Sequence, residues 1–250
     1  CSRDWSSDVC SSDLPWPGKG DALLYRPTLP ADYRAQPVPQ PVTATVVVEA
    51  SPLVEDNQWT LDLAAKDKFI VGFVGNLKLG DAAFAGHLKR FAANPVYRGI
   101  RISEGALRTG LGDAAFVADI KPLADADLEL DVNGGPTLLP EVGRLARALP
   151  SLRIVINHLA NVRIDGKNVS ETWRRDLAAA AKFPHVFLKV SALVEGTGKS
   201  DGTALRDVEF YRPWLDVAWA AFGADRLIYG SNWPVGARFA PLAKIGRAHV

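Results

Sequence analysis

The chain has 250 residues, enough for one large core, and 48% of them are hydrophobic. Its 29 Lys and Arg nearly balance 28 Asp and Glu, so neither nucleic acid nor an anionic membrane surface is an expected partner. No apolar run approaches the roughly 18 residues of a membrane span.

The two ends do not read as natural protein. Asp8 to Leu14 back-translates as GAC GTG TGC TCT TCC GAT CT. The reverse complement contains ATC GGA AGA GCA CAC GTC, which encodes the closing Ile-Gly-Arg-Ala-His-Val. Residues 1–14 and 245–250 are therefore expected to be translated sequencing adaptor, flanking one domain over residues 15–244. Cys1 and Cys10 both fall in the first of these segments, so the domain offers no disulfide and no thiolate. His87, His158 and His185 remain within it. No segment resembles a signal peptide, and a cytoplasmic location is expected.

Pro15 to Pro41 is rich in Pro and turn formers, with a short turn at Ala31 to Ala35; it reads as a surface connection or a loop over a site. A strand–helix alternation follows. Thr43 to Ser51 is a β-branched strand. Gln58 to Lys66 is a helix with Trp59, Leu61 and Leu63 as its apolar positions. Phe69 to Asn76 is a strand, and Phe84 to Ala92 a helix whose Phe84, Leu88 and Phe91 are spaced by four and three. Tyr97 to Ile102 is a strand, Gly105 to Gly112 a flexible loop, and Ala114 to Ala124 an apolar helix. Asp127 to Asn133 alternates as a strand, and Thr137 to Leu149 carries a helix that begins near Pro140. Arg153 to His158 and Val186 to Ser191 are strands separated by the helix Glu171 to Lys182. Val208 to Phe222 is a long helix anchored by Tyr211, Trp214 and Trp219. Leu227 to Gly230 closes the series.

About seven strand–helix units in succession predict an α/β fold. Eight such units make a (β/α)8 barrel of roughly 250 residues, so the expectation is a truncated (β/α)8 TIM barrel lacking its first strand and last helix. A chain so shortened is expected to be inactive and poorly soluble, because open strand edges remain. The competing open doubly wound sheet usually needs a Gly-rich turn after its first strand, and none follows Val48.

Every strand ends in a polar residue: Glu49, Asn76, Arg101, Asn133, His158, Ser191 and Asn232. Barrel strand ends converge on one mouth, which makes these the candidate site, with Trp233 as a wall. His158 ends an apolar strand, where an imidazole can donate, accept or carry a proton. His185 precedes its strand and reads as structural, and His87 lies on a helix. Gly196 to Ser200 has no glycine at position 193 and so fails as a phosphate loop.

The segments Val46 to Ser51, Arg98 to Arg101, Ile154 to Leu159 and Leu227 to Pro234 together resemble the amidohydrolase superfamily. The likeness extends over nearly all of Pro15 to Lys244 and is nearest to the fuconolactonase-like branch, which hydrolyses sugar lactones and pyrone dicarboxylate. The resemblance implies a (β/α)8 barrel and a hydrolase acting on a lactone carbonyl, with or without one divalent metal, Zn or Mn. It places a His-x-His motif upstream of Pro15 and aligns His158, Arg101 and Glu49 with the polar ends of strands six, four and two. It implies that His158 and Asn232 take the catalytic positions, with Glu49, Asn76, Arg101, Asn133, Ser191 and Trp233 around the substrate. The implied partner is a small lactone or carboxylate, alone or with further copies of the chain.

Position 232 departs from that pattern. Most members carry Ser-Asp-Trp-Pro there, the Asp being the general base, whereas this chain has Ser231-Asn232-Trp233-Pro234. An amide does not take a proton near neutral pH. Another base, such as His158 or a residue on the missing strand, then operates, or the codon is misread, or the barrel binds a sugar acid or lactone without hydrolysing it.

Overall fold

The computed structural model describes residues 17–38, 40–205 and 207–242. The two segments read as adaptor lie outside these residues. Within them, a short helix α1 (Pro30–Arg34) precedes the strand β1 (Thr45–Val48) and the helix α2 (Glu55–Lys66). Then come β2 (Ile70–Gly75), α3 (Phe84–Ala92), β3 (Tyr97–Ser103), α4 (Glu104–Gly110), α5 (Ala114–Asp125), β4 (Glu129–Asn133) and α6 (Leu139–Ala148). The chain continues through β5 (Arg153–Ile156), α7 (Glu171–Ala180), β6 (Val186–Val190), a single turn α8 (Leu193–Gly196), α9 (Val208–Phe222) and β7 (Leu227–Tyr229). No helix among the described residues is long and apolar enough to cross a membrane.

All seven strands are parallel and pair in sequence order, β1 to β7. This is a (β/α)8 barrel short of one strand, as the alternation predicts. Among the described residues β1 and β7 each have one neighbour, and Val46 and Tyr229 on these edge strands are exposed. The helices cover the outer face. Leu130 and Val132 of β4, and Ile154 and Ile156 of β5, are fully buried with the helix side chains Leu123, Val142 and Leu145 in one core.

Some local expectations are corrected. The glycine-bearing stretch after β3 is the helix α4, not a loop: Ser103, the last residue of the strand, caps it by accepting the Ala106 N–H at 3.1 Å. Trp219 is not an anchor, being 59% exposed. The inward stripe of α9 runs through Tyr211, Trp214, Ala218 and Phe222, spaced by three, four and four, and position 219 falls outside it. On α2 the buried positions are Asn57, Thr60, Leu61 and Ala64, which leaves Trp59 and Leu63 half-buried. β1 is confined to Thr45–Val48, within the longer run Thr43 to Ser51.

Before β1, the segment bearing α1 packs between the start of β2 and the residues that follow β7. Tyr33 meets Trp233 with ring centroids 5.1 Å apart and Phe69 at 5.9 Å. Arg34 holds Asp67 through two hydrogen bonds of 3.1 and 2.9 Å, and Asp21 pairs with Arg238. Of these contacts, those with Trp233 and Arg238 lie beyond the end of β7, and those with Asp67 and Phe69 lie before β2.

Gly99 of β3 is the register partner of Glu129 of β4. A Cβ at Gly99 would stand 2.1 Å from the Glu129 carbonyl oxygen, which belongs to backbone and cannot rotate away. Gly99→Ala is therefore expected to cost about 2–4 kcal/mol. Urea unfolding followed by far-UV circular dichroism measures it; an unchanged midpoint would contradict the close approach.

Candidate active site

A cavity of about 1340 Å³ runs along the inner face of the sheet, and all eight residues singled out from the sequence line it. Strand alternation accounts for this. Val47 and Glu49 of the first unit, Arg153 and Asn157 of the fifth, and Lys189 and Ser191 of the sixth share the inward face.

Arg101 spans from β3 to the end of β1. Its Nε donates to Glu49 Oε1 at 2.8 Å, and a terminal nitrogen donates to the Glu49 carbonyl oxygen at 2.5 Å. Both side chains are about one-fifth exposed or less, so the pair is poorly screened by water.

His158 lies directly beyond β5, where the backbone turns left-handed for four residues in succession: φ is 55° at His158, 51° at Leu159, 56° at Ala160 and 44° at Asn161. Each such non-glycine residue costs roughly 1–2 kcal/mol. Side chains hold the turn in place. Trp173 Nε1 donates to the Leu159 carbonyl at 3.1 Å, and Asn161 Nδ2 donates to Asn133 Oδ1 at 3.0 Å and to the Gly134 carbonyl at 2.8 Å. The His158 ring is thereby aimed at Ser191, with Nδ1 2.7 Å from Ser191 Oγ. Burial, then the charges of Arg101 and Lys189, push the imidazole down to about 3. It is a neutral hydrogen-bonding group at physiological pH, and a weak base.

Lys189 lines this side of the cavity with Asp131 buried behind it, and sequence reasoning missed both. Lys189 Nζ donates to Asp131 Oδ2, which also accepts from Asn157 Nδ2 at 3.0 Å. Asp131 is fully buried, and its Oδ1 has no hydrogen-bond partner. The available signal was a charge inside each of two apolar strands, Asp131 after Leu130 and Lys189 after Leu188.

Beyond the adjacent strand β7, Asn232, with φ of 50°, donates from Nδ2 to Glu195 Oε1 at 2.8 Å. Glu195 also lines the cavity and was not among the residues picked from the sequence. Burial raises its proton affinity, partly offset by the Asn232 hydrogen bond. Trp233 forms the wall against Tyr33. Asn76 and Asn133 have structural partners. Asn76 Nδ2 donates to the Ser51 carbonyl and, at 3.3 Å, to that of Leu53, while Asn133 receives Asn161. His185 lies outside the cavity lining, with Nε2 3.2 Å from the Ala146 carbonyl.

Among the described residues no three His, Cys, Asp or Glu side chains gather as a metal-binding group. Arg101 occupies Glu49, Lys189 occupies Asp131, and Ser191 occupies His158 Nδ1. The described residues do not by themselves fit a metal ion.

Known proteins share this architecture. The L-fucono-1,5-lactonase of Burkholderia ambifaria is 32% identical over 233 residues, covering 91% of this chain and 77% of that protein. An amidohydrolase from Burkholderia multivorans, 25% identical over 96% of this chain and 85% of its own, superposes with a TM-score of 0.82 in a crystal with bound HEPES and 0.81 in one with bound zinc. A Pseudomonas putida structure assigned as a 2-pyrone-4,6-dicarboxylic acid hydrolase shares the fold with a TM-score of 0.74, at 21% identity over 96% of this chain and 83% of that one. The sequence model of the amidohydrolase family matches residues 14–248. The chain belongs to the amidohydrolase family.

Proposed function

We propose that this hydrolase opens a lactone ring by attack of water on the carbonyl carbon, and that its substrate is a sugar-acid lactone. The observation that carries the reading is the neutral His158 held by Ser191 between two cations, Arg101 and Lys189, on the wall of one cavity. The lactonase name of the Burkholderia ambifaria relative points to the same chemistry.

Each group has a task there. A lactone carbonyl gains negative charge as water adds, and donors set in place beforehand stabilise that charge without reorganising. Arg101, anchored by Glu49, and the neutral His158 supply such donors. Lys189, restrained by Asp131, adds positive potential and a contact for a hydroxyl or carboxylate of the sugar acid. Trp233 and Tyr33 make an apolar wall against which a sugar ring packs. A zinc or manganese ion would require donors beyond the described residues, and no step is assigned to one.

The test is a panel of sugar lactones that includes L-fucono-1,5-lactone, with acid release followed by a pH indicator and ligand binding by calorimetry. In the chain restored to eight strand–helix units turnover is expected; binding without turnover would replace this reading with a non-catalytic lactone-binding barrel. His158→Ala is expected to lower kcat/KM about 100-fold, as loss of one oxyanion-directed donor does. A change of only a few-fold would remove His158 from the reaction.

A pH experiment checks the state of the imidazole. In the unfolded chain His158 takes its proton near 6.5, in the native chain near 3. The unfolded state thus binds more protons between these values, and His158 makes native stability fall as pH drops from 6.5 towards 3. In a 15N NMR titration its ring is expected to stay neutral at pH 5, and a midpoint near 6.5 would refute the burial argument.

A further inference from the structure

The polarising groups leave one carboxylate of the cavity wall unused. Glu195 stands on α8, a few residues beyond the end of β6. Its Oε1 accepts the Asn232 amide at 2.8 Å, and its Oε2 is buried with no hydrogen-bond partner. Glu49 and Asp131 are tied to Arg101 and Lys189, whereas no ion pair engages Glu195 among the described residues. Of the other carboxylates that line the cavity, Asp127 and Glu129 sit at the start of β4, away from the mouth, and Asp56 lies in the first turn of α2. Glu195 alone among these touches position 232.

We propose that Glu195 is the general base of this enzyme, a further catalytic residue that rests on the lactone-hydrolysis reading of the same site. Its carboxylate removes one proton from the attacking water while the water oxygen bonds to the lactone carbonyl carbon. The carbonyl π pair moves onto oxygen and returns as the ring C–O bond breaks. The departing ring oxygen then receives the proton from Glu195. One water and one lactone become one hydroxy acid, and the carboxylate is regenerated. Asn232 is the orienting partner: its Nδ2 is committed to Glu195, which leaves its carbonyl oxygen to accept a hydrogen bond from the same water.

The surroundings suit the role. Burial holds the Glu195 proton more tightly than at an exposed glutamate, and general bases work best near the operating pH. The neighbouring titratable group is Tyr211 of α9, whose phenol is pushed up to about 12 by burial and then by the Glu195 charge, so it remains protonated through the working range.

The experiment uses the chain restored to eight strand–helix units, here the wild type, and the lactone that it turns over fastest. Glu195→Gln preserves the size and the contact with Asn232 but removes the proton acceptor. It is expected to lower kcat at least about 100-fold, leave the thermal transition in place and abolish the acid limb of the pH–rate profile. In the wild type that limb is expected above the ordinary glutamate value of 4.5. Adding Asn232→Asp to Glu195→Gln restores a carboxylate at the neighbouring position and is expected to recover about tenfold or more in kcat. Three results overturn the role while leaving lactone hydrolysis standing. They are Glu195→Gln within about threefold of wild type, a loss that the double variant does not reverse while the acid limb persists, and a wild-type limb at or below 4.5. A wild type inactive on every lactone overturns the underlying reading, and this assignment with it.

Discussion

The pairing of Lys189 with the fully buried Asp131 is the constraint on which the site depends. An ionised carboxylate enclosed by strands costs several kcal/mol unless a cation and further donors meet it. Asp131 gains the ammonium of Lys189 and the amide of Asn157 on one oxygen. Asn157 is the residue before the left-handed run at His158, and its own N–H donates to the Val132 carbonyl at 2.9 Å. A charge pair inside the barrel thus sets the point at which β5 ends. Trp173 and Asn161 then fasten the turn from the helix side and from the β4 loop. Together these bonds offset the backbone strain of four non-glycine residues at positive φ.

One physical cause, burial, acts in opposite directions on two groups that line the cavity. It lowers the proton affinity of the His158 imidazole, which becomes charged on protonation, and raises that of Glu195, which becomes charged on proton loss. The cations Arg101 and Lys189 add to the first effect, while no cation relieves the second among the described residues. The result is a neutral hydrogen-bonding ring and a carboxylate of raised proton affinity lining one cavity, a difference made by environment. A ring kept neutral by burial supports the carbonyl-polarising role proposed for His158.

The strands were legible because each apolar run ends in a polar residue, and in a parallel barrel all such ends meet on one side. That single regularity brought Glu49, Arg101, His158, Ser191 and Asn232 into one cavity without any knowledge of distance. It missed Lys189 and Asp131 because a charge in mid-strand is recognisable only once the strand's inward face is known. Glu195 was hidden differently: α8 is a single turn, too short to have a period, and the carboxylate owes its place to the turn rather than to a strand end. The α4 helix escaped because its cap, Ser103, reads as the last polar residue of a strand, and two glycines within the helix lower its propensity. Trp219 shows the converse error, since an indole in a helix is an anchor only when it falls on the buried stripe.

The cavity wall beside Asn232 is built from distant parts of the chain. Trp233 follows β7, yet its aromatic partner Tyr33 precedes β1, and the Asp21–Arg238 pair joins the same two regions. Among the described residues β1 and β7 do not pair with each other, so side chains rather than a backbone ladder connect these ends of the sheet. Contacts of this kind are easier to rearrange than strand pairing, because no continuous run of backbone hydrogen bonds must break. The polarising groups, by contrast, stand at the ends of the central strands β3, β5 and β6, each hydrogen-bonded on both sides. The fold therefore puts the groups that require fixed geometry on its rigid part. It leaves the Tyr33 part of the cavity wall to a connecting segment, where sequence change disturbs the sheet least.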